Sequence, residues 1–334
     1  MPARLLALTA SLLVTWFLAT HLRAEPPRPP AAQAPAAQAP ASEPAGPLGR
    51  LDGLALPLRR ALEEQDAFSP LPTPSGSDWL AVYDEPGQTF EQFRDGPRRV
   101  PTPERRTIRL VALDDVGDRG FPKVERLAEY LALYYGLPSR VHALTEPLPT
   151  FHSRTNESTG VSQILTTSVM RWLRTELPSD SLCLVAVTRR DLYPDPSWNF
   201  VFGQASPGSG VGVFSFARYH PEFPGSGEGA PTDAAERGRL VLRRSLKVLA
   251  HEVGHLVGLE HCVHFHCLMN GSNHLGEMDR APQHLCPVCL RKAQHAATFD
   301  VVSRYAALAA FYRAAALDDE AAWAAARADH ARGK

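Results

Sequence analysis

The run HEVGHLVGLEHCVHFHCLMNG at 251–271 places five histidines, two cysteines and two glutamates within 21 residues. Its spacing dictates local geometry. His251 and His255 stand at i and i+4, which on a helix makes them neighbours, about 5–6 Å apart at Cβ, so both imidazoles can reach one ion. Glu252 follows the first and can hold a water on that ion without ligating it. Gly258 tolerates a positive φ, so it can stop the helix and reverse the chain. That turn brings His261 back as a third ligand. Three protein nitrogens leave a fourth position open, the arrangement of a catalytic rather than a structural zinc site. On this composition the full spacing, with Gly258 and His261, arises by chance about once in ten thousand chains, which sets aside a merely polar helix surface.

The surrounding sequence supplies the helix. Asp233 and Glu236 form a capping-box pattern, and the helix is expected over 233–257. Leu242, Leu246, Leu249, Val253 and Leu256 fall opposite His251, so an apolar face packs on a sheet while His251, Glu252 and His255 face a cleft. Val241 and Val248 fall on the histidine side, so most of the helix surface should be covered. Upstream, the β-branched runs 107–113, 140–144 and 181–188 read as strands, and 199–206 and 210–219 as two more. Helices are expected over 121–136 and 161–178. This alternation defines an α/β fold with a mixed, twisted sheet packed on helices. The stretch 51–66 allows a short helix, and 67–104, rich in Pro and Gly, has no assigned structure. After Cys289 one long helix is expected to about residue 316, then an Ala-rich helix or tail over 317–334.

Cys183 lies in an apolar strand and reads as core. Cys262 and Cys267 follow the third histidine directly, and Cys286 and Cys289 form C-P-V-C. Two such short pairs suggest a structural four-thiolate zinc. His264 and His266 lie between two of these cysteines and read as solvent-exposed, with replacement of one cysteine as the alternative; His274 and His284 read as loop residues that could reach an oxyanion. Met269, eight residues past His261, is the candidate for a turn beneath the metal.

The pattern H-E-x-x-H-x-x-G-x-x-H is the metzincin signature. With Cys262, Cys267, Met269, Cys286 and Cys289 it resembles the archaemetzincin motif, and MNGSNHLGEMDRAPQHLCPVCLRK, WNFVFGQAS and GVGVFSFARY are similar to that family beyond the ligands. The resemblance spans about residues 75–300. It implies a metzincin-like zincin fold with a long active-site helix and a zinc-bound cysteine loop. It also implies a zinc metallopeptidase with two zinc ions, one catalytic and one structural. Glu252 would be the general base, a peptide or protein the substrate, and an edge strand within 210–219 the holder of the substrate backbone. A noncatalytic zinc module with a vestigial histidine site is the competing reading, and an intact Glu252 argues against it.

The N-terminus departs from that family, whose members are expected in the cytoplasm. Residues 1–24 carry Arg4 and an apolar run of about 16 residues, the anatomy of a secretory signal or membrane anchor. Residues 25–49, with eight prolines in 25–47 and a repeated PAAQA, read as a disordered linker. The domain is expected over 50–316, exported, periplasmic or tethered to a membrane. A net charge of −1 argues against nucleic acid as a partner. Nothing in the sequence assigns an oligomeric state.

Overall fold

The computed structural model describes residues 46–63, 66–117, 120–226 and 231–334. The signal reading of 1–24 and most of the linker lie outside these residues. Short helices α1 (Leu56–Glu63), α2 (Trp79–Val82) and α3 (Phe90–Asp95) precede β1 (Thr107–Ala112) and α4 (Val124–Tyr135). Then come β2 (Ser139–Val141), β3 (Ser153–Thr155), β4 (Ser162–Leu165), α5 (Thr166–Glu176), β5 (Ser181–Thr188), β6 (Asp191–Tyr193), β7 (Gly203–Ser206) and β8 (Val211–Ser215). The chain ends in helices α6 (Ala234–Leu256), α7 (Leu275–Arg280), α8 (Pro287–Ala297), α9 (Val301–Ala314) and α10 (Asp318–Arg332).

The main sheet runs β2-β1-β5-β8-β7. Its first four strands are parallel, and β7 pairs antiparallel to β8. A smaller sheet, β3-β4-β6, lies beside it. Period-two alternation along β5 divides its side chains between two cores. Cys183, Val185 and Val187 join the larger core with α4 and α6; Leu184 and Ala186 join the smaller one with α5. The mixed α/β architecture expected from the sequence is therefore present, and Cys183 is core.

Several local expectations change. The segment 161–178 is not helical throughout. Its first turn is β4, because Gln163 and Ile164 pair with β6 and bury, and the helix begins at Thr166. The edge strands of the main sheet are β2 and β7; the stretch 210–219 supplies the interior strand β8 and a short 3₁₀ turn at Ala217–Tyr219. The single long helix expected after Cys289 breaks at Thr298 (φ 57°), and Asp300 caps α9 by accepting from Ser303 N (2.7 Å). The Ala-rich terminal helix α10 packs its Ala321, Ala324, Ala328 and Ala331 into the main core.

The stretch 67–104, unassigned by pattern, is a strap across the cysteine loop and the end of α6. Ser69 O accepts from His266 N (3.1 Å), and Pro70 bridges to Phe265. Further along, Gln88 Nε2 donates to Gly258 O (3.2 Å) while its Oε1 accepts from Glu260 N (3.3 Å). Lys292 of α8 holds the strap by donating to Gln88 O, and Arg291 lies over the Phe90 ring (3.7 Å) while donating to Leu48 O and Arg50 O ahead of the strap.

Candidate metal centre

Helix α6 positions the first two histidines. Asp233 caps it, accepting from Glu236 N at 2.8 Å. Its far end closes as a Schellman motif: Gly258 N donates to His255 O (3.0 Å) and Leu259 N to Gly254 O (2.9 Å), with Gly258 at φ 99°. A Cβ there would also stand 2.8 Å from Arg98 Cβ, so the position demands glycine twice over. The chain reverses as the spacing implied, and His261 returns to the helix. The rings of His251, His255 and His261 lie 4.7–5.3 Å apart between centroids.

The imidazoles are oriented by what their outer nitrogens touch. His251 Nδ1 bonds Leu268 O (2.8 Å), His255 Nδ1 bonds Leu259 O (2.7 Å), and His261 Nδ1 bonds the Glu85 carboxylate (2.8 Å). These acceptors take the Nδ1–H tautomer, so each Nε2 keeps its lone pair and turns inward. His251 and His255 approach Nε2 to Nε2 at 3.0 Å, and one nitrogen from each of the three lies within 4.8 Å of the others. Burial, with the neighbouring histidines, pushes the imidazole of His251 well down and that of His255 down to about 4. Both stay neutral at pH 7, as metal ligands must be. Burial pushes the Glu252 carboxyl up to about 7, against the opposing pull of His261. Burial also raises Glu85, but the His261 hydrogen bond and charge outweigh it and leave that carboxyl low.

Met269 is fully buried beneath α6. Gly254, between the two helical histidines, makes room for it: a Cβ there would stand 2.6 Å from Met269 Sδ. The turn holding Met269 is clasped by Asn270, whose Nδ2 donates to Cys262 O (2.7 Å) and Phe265 O (2.9 Å). Cys262 N in turn donates to Met269 O (2.8 Å). Met269 thus follows Leu268, whose O is the acceptor for His251, and its own O holds Cys262, the neighbour of His261.

Cys262, Cys267, Cys286 and Cys289 come together as a second group, all buried and none in a disulfide, with sulfurs within 4.8 Å of one another. Cys262 and Cys286 stand 3.6 Å apart, close to the roughly 3.8 Å edge of a tetrahedron with zinc–sulfur bonds of about 2.3 Å. The Cys267 sulfur accepts from Cys286 N (3.2 Å) and Met269 N (3.5 Å), as a thiolate ligand does. Hydrogen bonds from the other three cysteines hold the Cys262 thiol well below the ordinary value.

Four other histidines stand outside both the histidine and the cysteine group. His264 and His266 join neither group among the described residues. His274 does not reach the centre as an oxyanion donor; it caps α7, accepting from Glu277 N (3.2 Å), and bonds Asp78 (3.2 Å). His284 stacks flat on Trp323 of α10 at 3.8 Å. Residues the sequence reading missed are Glu85, Gln88 and Gly254. Only Gly254 carried a signal, as a glycine inside a helix where close approach is the usual reason. Glu85 lies 176 residues before His261 with no motif around it.

Residues 151–295 match the model of peptidase family M54. The chain is 41% identical over 281 residues to archaemetzincin-2 of Macaca fascicularis, covering 76% of each chain. It is 34% identical over 271 residues to mouse archaemetzincin-1, covering 74% of this chain and 54% of that one. A crystal structure of archaemetzincin from Methanopyrus kandleri is 28% identical, spanning 60% of this chain and 99% of that one, with a TM-score of 0.43. A zinc metallopeptidase is therefore the class of protein in hand. More narrowly, the chain belongs to the archaemetzincin family.

Proposed function

We propose that His251, His255 and His261 hold the catalytic zinc through Nε2, that Glu252 is the general base, and that Cys262, Cys267, Cys286 and Cys289 hold a second, structural zinc. The observation that carries the reading is the orientation of the three imidazoles: each Nδ1 is tied to an outward acceptor and the remaining nitrogens converge. That donor set suits zinc, and the four buried sulfurs suit a closed tetrahedral ion. His251, His255 and His261 would hold the zinc, which when bound would supply Lewis acidity toward a peptide carbonyl and a water. Glu252 takes the proton of the attacking water and passes it to the leaving amine. The outer edge of β7 is the surface on which an extended peptide backbone can add as a further strand. The strap fixes His261 through Glu85 and the turn before it through Gln88.

Glu252→Gln should retain zinc and fold but lower kcat by at least about 10²–10⁴ on a peptide library. Unchanged turnover would sink the mechanism. We further propose that residues 1–24 export the protein or anchor it to a membrane, followed by the proline-rich spacer. Cell fractionation should find the chain outside the cytosol; an intact, uncleaved chain free in the cytosol would refute export.

A further inference from the structure

The three histidines are not held alike. His251 and His255 stand on α6, whose backbone fixes where each Cβ points. His261 follows the Gly258 turn and lies in no helix or strand, so its ring is placed by what packs against it. Two strap residues do this. Glu85 accepts from Nδ1 (2.8 Å), and the Trp79 indole lies edge-on to the imidazole, 5.1 Å between centroids at 76°. Such an edge-to-face contact fixes the tilt of both rings.

Trp79 is itself fixed from several directions. Its backbone N donates to Glu277 Oε1 of α7 (2.8 Å), and the other oxygen of that carboxylate accepts from Asn273 N (2.8 Å). The preceding residue, Asp78, accepts from Arg280 Nη2 (2.7 Å), so α7 grips the strap at this point. The Tyr83 ring leans on the indole at 4.2 Å. Gly271, two residues past Met269, leaves the space the indole fills: a Cβ there would stand 2.5 Å from Trp79 Cδ1 and 2.7 Å from Nε1. That Nε1 is buried and completes no hydrogen bond. The acceptor it acts on is the Glu85 carboxylate: burial works against that group's charge, but the indole N–H joins His261 in holding the carboxyl low. We propose that Trp79 is a positioning residue for the third histidine: the indole edge sets the tilt of the His261 ring, and its N–H steers the Glu85 carboxylate onto His261 Nδ1. The inference rests on the zinc reading of the histidine group and adds what makes its third member a ligand. Trp79 acts through His261 and Glu85 and is not itself a ligand.

Competition of the zinc-loaded full chain against a chromophoric chelator tests this, with a thiol reagent releasing the cysteine-bound ion separately as the internal control. Trp79→Leu should weaken zinc at the histidine group by about 10–100-fold, the usual cost of losing an outer partner, and leave the cysteine group loaded. Trp79→Phe keeps a ring against His261 but not the N–H, and its affinity should fall between that of Trp79→Leu and the parent. In a Glu85→Ala background the N–H has no carboxylate to steer, so Trp79→Phe should cost nothing further there. Gly271→Ala crowds the indole and changes no ligand; it should loosen the same ion, and it decides the matter if the Trp79 variants do not fold. A parent chain whose histidine group takes up no zinc would refute the metal reading before any variant is compared, and this proposal with it. With the parent loaded, equal loss at both groups would mark general destabilisation and overturn the proposal alone. So would unchanged affinity in Trp79→Leu or in a folded Gly271→Ala, or a Trp79→Phe cost that survives in full in Glu85→Ala.

Discussion

Each histidine of the candidate centre needs a partner on its far side, and the partners differ in kind. His255 bonds a backbone carbonyl just past its own turn, and His251 bonds Leu268 O beside the methionine. His261 uses a carboxylate from the distant strap. A carboxylate raises the basicity of the imidazole it holds, and such outer partners are typically worth about 10–100-fold in metal affinity. Glu85→Gln keeps an acceptor at the same position but removes the charge. It should weaken zinc at the histidine site by about that factor and leave the cysteine site loaded, as competition against a chromophoric chelator would read. Affinity unchanged from the parent chain would mean that Glu85 only packs.

At the scale of elements, the centre is a contact between α6 and the methionine turn. Two effects oppose each other at Gly254. Replacing a mid-helix glycine by alanine favours the helix by about 1 kcal/mol. The added Cβ, however, would sit 2.6 Å from Met269 Sδ and 3.1 Å from Tyr135 Oη, atoms that are themselves buried. Overpacking of this kind typically costs about 1–3 kcal/mol. Gly254→Ala should therefore be destabilising on balance in a denaturant titration, and the displaced turn should carry Leu268 O away from His251. A variant more stable than the parent would show that the turn has slack that the packing does not suggest.

Across the whole molecule the two candidate metal groups share backbone. Leu268 N donates to His284 O (2.8 Å), two residues before Cys286, and Leu268 O accepts from His251 Nδ1. On the other side Cys262 follows His261 directly. The α8 helix starts at these cysteines, with Cys286 as its cap and Pro287 in its first turn; its Lys292 donates to Gln88 O, and its Arg291 lies over Phe90, of the strap that brings Glu85. Losing the cysteine group should then be felt at the histidines, although no cysteine reaches them. Cys286→Ser is expected to lower the unfolding temperature and to release both zinc ions at lower chelator concentration than the parent. If only one ion loosened, the bracing between the groups would be absent.

What was legible in the sequence is what depends on neighbours along the chain. The i, i+4 pair, the glycine turn to His261, the Asp233 cap, the paired cysteines and the Met269 position follow from helix periodicity and turn chemistry over a few residues. The strands 107–113 and 181–188 were legible because a fully buried parallel strand is a continuous apolar run. The first turn of α5 was not, since Ser162–Leu165 has the same apolar spacing as the helix after it, and only pairing with β6 makes it a strand. The break at Thr298 is marked by no proline or glycine; its one local sign is Asp300, which caps α9. Glu85 and Gln88 belong wholly to tertiary structure. Their partners lie far away along the chain, and a lone glutamate or glutamine has no local pattern that distinguishes it from a solvated one. Folding decided them by bringing the strap to the end of α6, where burial turns an ordinary polar side chain into one that must find a partner.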